Sequence, residues 1–272
     1  SVDLWKILNE DQEALNLTEN TQPVMLAAGY ATYKVLSEET HLSPVAMAGH
    51  SLGEYTALVA SNSMSFFDAI QLVRKRGELM QAAVPSGTGS MAAILGLEDS
   101  IIIEICKKAS EKGVVEAVNF NSPGQVVIAG DKDAVAHACD LMKEAGAKRS
   151  LVLPVSVPSH CSLMKEAAIK FKTNVEAIDF KTGSVKVIHN VDADYADDIE
   201  NIKSKLVEQL HMPVLWTDSV NKMKESGVEK LIELGPGKVL AGLTRRIDKS
   251  LSASAIIDVS SLKSTIEEIS NA

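Results

Sequence analysis

The apolar residues of this chain fall into short unbroken runs separated by helical stripes. The first run, Ser43-Pro44-Val45-Ala46-Met47-Ala48, is opened by a proline and closed by Gly49, and reads as a buried strand. Ahead of it, Thr21-Gln22-Pro23 starts a helix with proline near its first turn, and Val24, Leu26, Ala27, Tyr30, Ala31 and Val35 mark its apolar face. Earlier still, Val2, Leu4, Trp5 and Leu8 suggest an amphipathic helix. After the run, Glu54 to Ala60 reads as a helix. Ser65-Phe66-Phe67-Asp68 then opens a long one through Met80, with Ile70, Val73, Gly77 and Met80 on related faces.

From Ser90 the pattern shortens. Residues 91–95 read as a strand, 99–112 as a helix, 114–118 as a strand, 125–129 as a strand, 131–145 as a helix ended by Gly146, and 148–155 as a strand. The turn chemistry of Asn121-Ser122-Pro123-Gly124 joins the second and third strands. The order is βαββαβ, the ferredoxin-like pattern, inserted whole into a larger domain. Beyond Pro158-Ser159-His160 a helix runs through Ile178, followed by a strand at 185–190, helices at 199–210 and up to Glu225, a strand at 230–234, a helix at 239–246 and a last strand at 255–258. Strands alternating with helices predict an α/β domain with a largely parallel sheet. The expected division is 1–87 and 156–272 for the catalytic domain and 88–155 for the ferredoxin-like subdomain.

Composition narrows the class. The chain has 272 residues, 46% of them hydrophobic, enough for one large domain with an inserted smaller one. No apolar run reaches the ~18 residues of a membrane span, and neither a signal peptide nor a membrane partner is expected. Cys106, Cys139 and Cys161 are odd in number and widely spaced, which fits neither a disulfide framework nor a zinc site. A cytoplasmic setting and no metal or other cofactor are expected. The net charge of −9, with cations spread along the chain, argues against nucleic acid as a partner.

Candidate chemistry centres on Gly49-His50-Ser51-Leu52-Gly53-Glu54-Tyr55. A serine between two glycines at a strand-to-helix turn is the nucleophile elbow. The expectation is that strand and helix nearly touch at both Gly49 and Gly53, leaving no room for side chains. Ser51 is then raised into a cleft, and the Leu52 N–H at the positive helix end faces the oxygen that becomes negative on attack. A serine nucleophile needs a base. Of His41, His50, His137, His160, His189 and His211, His160 is preferred, because it follows a strand in a loop stiffened by Pro158. The alternative is an ordinary loop histidine, and His50 is the next candidate. No acid between Ser51 and His160 stands out, so a dyad whose imidazole is held by a carbonyl fits better than a triad. Arg76 can fork onto a carboxylate, or it can lie on a solvated face with Arg74 and Lys75. Cys161 reads as a small buried side chain.

Taken together these segments resemble the malonyl-CoA:acyl-carrier-protein transacylases of bacterial type II fatty-acid synthesis. The resemblance rests on the elbow, on Arg76-Gly77-Glu78-Leu79-Met80-Gln81, on Asn119-Phe120-Asn121-Ser122-Pro123-Gly124-Gln125, on Pro154-Val155-Ser156-Val157-Pro158-Ser159-His160-Cys161, and on Glu233-Leu234-Gly235-Pro236-Gly237-Lys238-Val239-Leu240. These cover essentially the whole chain in order. The resemblance implies an α/β-hydrolase-like core with a ferredoxin-like insert. It implies malonyl-CoA and acyl carrier protein as partners. Ser51 would carry the malonyl ester, His160 would act as base and then acid, Arg76 would pair with the malonate carboxylate, Leu52 N–H would be an oxyanion donor, and Gln209 would hold the histidine. The alternatives are a serine esterase or thioesterase, and an inactive acyl-carrier-binding module. The family opens with a strand and a Gly-Gln-Gly loop that supplies a second oxyanion donor. This sequence holds no such segment, so a missing central strand and half an oxyanion hole are expected.

Overall fold

The structure, a computed structural model, describes residues 2–155 and 157–271; Ser1, Ser156 and Ala272, where expected domain boundaries fall, lie outside the described residues. The chain begins with helices α1 (Leu4–Glu10), α2 (Gln12–Asn16) and α3 (Thr18–Glu39), then β1 (Met47–Ala48), α4 (Leu52–Ala60) and α5 (Phe66–Gln81). Next come β2 (Gly89–Leu95), α6 (Asp99–Ala109), β3 (Val115–Ser122), β4 (Gln125–Asp131), α7 (Lys132–Glu144) and β5 (Arg149–Val152). The rest is α8 (Lys165–Glu176), β6 (Val187–Ile188), α9 (Ile199–Glu208), α10 (Trp216–Glu225), β7 (Lys230–Leu234), α11 (Val239–Ile247), β8 (Ser252–Ile256) and α12 (Val259–Ser270).

Parallel and antiparallel pairing are segregated. β2 to β5 form an antiparallel sheet of order β3-β4-β2-β5. Its apolar cluster joins Ile94, Ile128 and Val115 to Ile102 of α6 and Val135 and Met142 of α7. Among the described residues the parallel strands do not form one sheet. They stand as two pairs, β1 with β6 and β7 with β8. An apolar cleft of about 660 Å³ runs between the pairs, lined by Met47, Ala48, Leu231, Leu234 and Leu240 among others.

The expected elements differ from these in several places, each for a physical reason. Only Met47–Ala48 of the first apolar run pairs as strand, because Val45 points to solvent, 61% exposed. The expected strand over 185–190 shortens likewise to Val187–Ile188, and the helix after His160 starts only at Lys165. α3 begins at Thr18, not beside Pro23, because buried side chains hold the extra turn. Asn20 Nδ2 donates to the Ala14 carbonyl at 2.8 Å, and Gln22 Nε2 donates to Thr18 Oγ1 at 2.9 Å. The buried face of α3 is therefore Gln22, Leu26, Gly29 and Leu36, while Ala31 and Val35 are exposed. Gly29 is where α3 crosses; a Cβ there would lie 3.1 Å from Thr56 of α4 and 3.4 Å from the Leu234 carbonyl of β7. Trp5 of the expected amphipathic helix is 75% exposed, and α1 buries no side chain. α12 was not expected at all; Asp258 caps it and Ser261 returns a bond to the cap backbone.

The core beneath the site joins Tyr55 and Leu58 of α4, Leu72, Val73 and Met80 of α5, and Phe171 of α8. Burying side chains of this size contributes about 1.5–3 kcal/mol each. That packing fixes α4 and α5 side by side, so the start of α4 and the buried face of α5 meet at one point.

Candidate active site

Ser51 occupies that point. It is the residue ahead of α4, and its backbone sits at φ 52°, ψ −107°, a conformation that costs a non-glycine residue about 1–3 kcal/mol. The elbow is tight on one side only. A Cβ at Gly49 would lie 1.9 Å from the Gly53 carbonyl carbon, whereas one at Gly53 would meet nothing within 4 Å. The expectation that both glycines are sterically required is corrected for Gly53, whose α-carbon faces open space beside the first turn of α4. Leu52 follows as the first residue of that helix, at its positive end.

The Ser51 hydroxyl lies 2.8 Å from His160 Nε2. His160 Nδ1 lies 2.7 Å from the Gln209 carbonyl. A carbonyl only accepts, so Nδ1 carries the proton and Nε2 presents a lone pair to the serine. His160 is buried, at φ 66°, with its N–H on the Leu210 carbonyl at 3.0 Å. Burial, and next the charge of Arg76, pull its pKa down to about 3, so the imidazole is a neutral acceptor.

Arg76 is 1% exposed, so it does not lie on a solvated face with Arg74 and Lys75. Its Nη2 donates to Ser51 Oγ at 3.1 Å and to Gln209 Oε1 at 2.9 Å, and its Nη1 donates to Gln22 Oε1 at 2.8 Å. Among the described residues its Nε has no hydrogen-bond partner, and its guanidinium lies 5.3 Å from the centre of the Tyr55 ring. Among the described residues no carboxylate lies within salt-bridge distance of it. Neighbouring Arg74 differs: it pairs with Glu19 at 3.2 Å and Glu78 at 3.0 Å.

Gln209 is the hub. Besides its two carbonyl contacts, its Nε2 donates to the Ser51 carbonyl and to Glu54 Oε2, each at 2.9 Å. Glu54, His189, Asn190 and Gln22 were missed by sequence reasoning. Glu54 is fully buried, with Oε1 2.7 Å from His189 Nδ1 and Oε2 accepting the Asn190 N–H at 2.9 Å. The available signal was position: His189-Asn190 directly follows a strand of the parallel set, where sites of this class are built. The remaining histidines stand apart. His50 Nε2 lies 2.8 Å from Asn121 Oδ1, a side-chain contact, and its ring tilts toward Trp216. Burial lowers its pKa, which the Asn121 bond partly offsets. His137 sits near Glu111 at 3.6 Å, outside the site. Cys161 is buried, its thiol on the Pro158 carbonyl, with a pKa raised to about 12 by burial.

A hydroxyl poised on a neutral imidazole, at the start of a helix and beside an anion-seeking cation, can pass an acyl group through a serine ester. The chain belongs to the acyl transferase domain family, whose family model matches residues 2–265. Within that family it is similar to the malonyl CoA-acyl carrier protein transacylase of Haemophilus influenzae, 53% identical over 267 residues, 97% of this chain and 86% of the relative. The same-named protein of Escherichia coli K12 is 51% identical over 266 residues, again 97% and 86%. Among solved structures, a malonyl-transacylase in complex with its holo type II PKS acyl-carrier protein superposes with a TM-score of 0.96 at 50% identity, covering 98% of this chain and 86% of that one.

Proposed function

We propose that this chain moves a malonyl group from coenzyme A to the phosphopantetheine thiol of acyl carrier protein through an ester on Ser51, in fatty-acid biosynthesis. His160 Nε2 takes the Ser51 proton as Oγ bonds to the thioester carbonyl carbon. The Leu52 N–H faces the resulting oxyanion. The carbon–sulfur bond then breaks, and the coenzyme A thiolate takes the proton from His160. An imidazolium beside Arg76 is disfavoured, so it gives that proton up readily. In the second half-reaction the phosphopantetheine thiol loses its proton to His160 and attacks the malonyl ester. Ser51 leaves and recovers the proton. Gln209 holds the imidazole through its carbonyl and Arg76 through its side chain.

The observation that carries this reading is Arg76. It is a buried cation whose hydrogen-bond partners are neutral, and it lies 3.1 Å from the nucleophile oxygen. A carboxylate at the far end of a short acyl group supplies the missing anion. An esterase has no use for such a cation, and relatives above half identity are transacylases by name. The finer architecture belongs to the same proposal: an α/β-hydrolase-like domain over 1–87 and 156–272 with a ferredoxin-like subdomain over 88–155. The separate apolar cluster of the antiparallel layer supports that division. Three free, buried thiols fit a cytoplasmic setting, and among the described residues no helix is long and apolar enough to cross a membrane.

The test is intact-mass measurement after mixing with malonyl-CoA. One adduct of about 86 Da per chain is expected, mapped to Ser51 and absent in Ser51→Ala. An adduct that survives in Ser51→Ala overturns the assignment.

A further inference from the structure

The Gly49 carbonyl and the Ser51 N–H are joined by one side chain that has no hydrogen bond to His160 or Arg76. Asn190 is completely buried, two residues past the end of β6. Its Oδ1 accepts the Ser51 N–H at 2.7 Å, and its Nδ2 donates to the Gly49 carbonyl at 2.8 Å. One primary amide thus satisfies residues on either side of His50, much as the backbone of a neighbouring strand would. It is itself fixed on both sides. Its N–H sits on Glu54 Oε2 at 2.9 Å, and its carbonyl accepts the Leu215 N–H at 2.9 Å. Oδ1 also takes Gln209 Nε2 at 3.3 Å. Glu54 is clamped in turn by His189 and Gln209.

Two consequences follow from the geometry. Ser51 lies in a conformation that a serine keeps only when its surroundings impose it, and the Asn190 amide grips the two successive peptide units, 49–50 and 50–51, that lead into it. The Ser51 N–H is also fully engaged, so it does not face the substrate, and Leu52 supplies the elbow's N–H for a developing oxyanion.

We infer that Asn190 is a positioning residue for Ser51: it holds the strained elbow so that Oγ stays on His160 Nε2, and it withdraws the Ser51 N–H from the oxyanion site. The inference rests on the reading of Ser51 as nucleophile. Asn190 has no hydrogen bond to Arg76, so its loss acts on the chemical step and leaves binding of the acyl carboxylate in place.

The experiment compares wild type, Asn190→Ala and Asn190→Asp. Folded protein is counted by circular dichroism and thermal melting. Two rates are read on it: single-turnover acylation by malonyl-CoA, and second-order labelling by a small phosphonofluoridate that needs only a poised serine. Peptide mapping of the wild-type adduct checks the nucleophile separately; an adduct away from Ser51 overturns that reading, whatever the Asn190 variants do. For Asn190→Ala both rates are expected to fall about 10- to 100-fold, as for a nucleophile displaced by an ångström, with KM within about threefold of wild type. Asn190→Asp keeps an acceptor for the Ser51 N–H but sets a second acceptor against the Gly49 carbonyl, so both rates should fall there too. Unchanged rates per folded Asn190→Ala overturn the inference, as does a raised KM at constant kcat. If Asn190→Ala does not fold, Asn190→Asp decides alone: a reduced rate at preserved KM supports the inference, and wild-type rates overturn it.

Discussion

His160 and Arg76 are electrostatically opposed through the serine between them, and that opposition sets two expectations at the scale of the residue. His160 is pulled down to about 3 by burial and by the Arg76 charge, so it remains a neutral base far below the usual imidazole range. Removing the neighbouring cation relieves part of this, so the His160 pKa rises in Arg76→Ala. A higher pKa means the imidazole is protonated, and lost as a base, at higher pH. The acidic limb of kcat/KM for acetyl-CoA should therefore move upward in pH in Arg76→Ala. A limb that stays put or moves down contradicts the assigned coupling. Selectivity follows from the same residue. A buried carboxylate without a partner is costly, and a guanidinium offsets this with two charge-assisted bonds that lysine cannot reproduce. Arg76→Ala should lose malonyl transfer by about 2–5 kcal/mol while acetyl transfer is spared. Equal losses for both substrates would show Arg76 to be a structural cation only. His160→Ala should slow acylation by about 10²–10⁴-fold, measured as single-turnover rate on malonyl-CoA; a near-normal rate moves the role to another histidine, His50 first.

At the scale of the element, the elbow offers a paired test. Gly49→Ala forces a Cβ to within 1.9 Å of the Gly53 backbone, where no flexible side chain can give way. It should lose Ser51 labelling and lower the melting temperature. Gly53→Ala adds a Cβ with nothing within 4 Å, inside a helix, where alanine gains about 1 kcal/mol over glycine. This chain should therefore tolerate it with an unchanged or higher melting temperature. A melting temperature that falls as far for Gly53→Ala as for Gly49→Ala would mean the helix start is packed differently. The same elements show what was legible in the sequence. The antiparallel layer was readable because its strands are short apolar runs bounded by turn residues, and the Lys230–Leu234 strand was found to the residue. Ser51 and His160 stood out because each combines an unusual residue with a local frame, a glycine pair and a proline-stiffened loop, whereas Arg76 stands beside Arg74 and Lys75 and only the family resemblance singled it out. Glu54 carries no such local mark, and Asn190 only its place after a strand. Glu54 reads as the ordinary first-turn acid of a helix, and only the arrival of residues 135 and 136 positions later along the chain gives it partners. Side-chain networks closed across that separation are set by tertiary packing, which periodicity does not encode. The start of α3 was misread for a related reason: its extra turn is held by buried Asn20 and Gln22, polar residues that the apolar stripe leaves out.

For the whole molecule, the antiparallel layer and the parallel pairs meet at the site and not merely beside it. Glu116 of β3 accepts the Ser162 N–H at 3.0 Å, two residues past His160, while Asn121 of the same strand holds His50, the neighbour of Ser51. Phe120 N–H and the Val214 carbonyl join the same strand to the segment after Gln209 at 3.0 Å. Both partners of the Ser51–His160 contact are therefore referenced to one strand of the layer. The chain carries a net charge of −9, and an acidic carrier protein meets net repulsion unless a local basic patch offsets it. Lys148 and Arg149, at the edge strand β5, and Lys165, at the start of α8, are exposed, and Lys165 is close enough to depress the His211 pKa further after burial has lowered it. Reversing the charge of Lys148 and Arg149 together should raise KM for carrier protein and flatten its dependence on salt, with KM for malonyl-CoA unchanged, because exposed charges act through a screened field that steers the encounter. The measurement is the slope of log(kcat/KM) for carrier protein against ionic strength in wild type and double variant. An unchanged slope assigns docking to another face of the molecule.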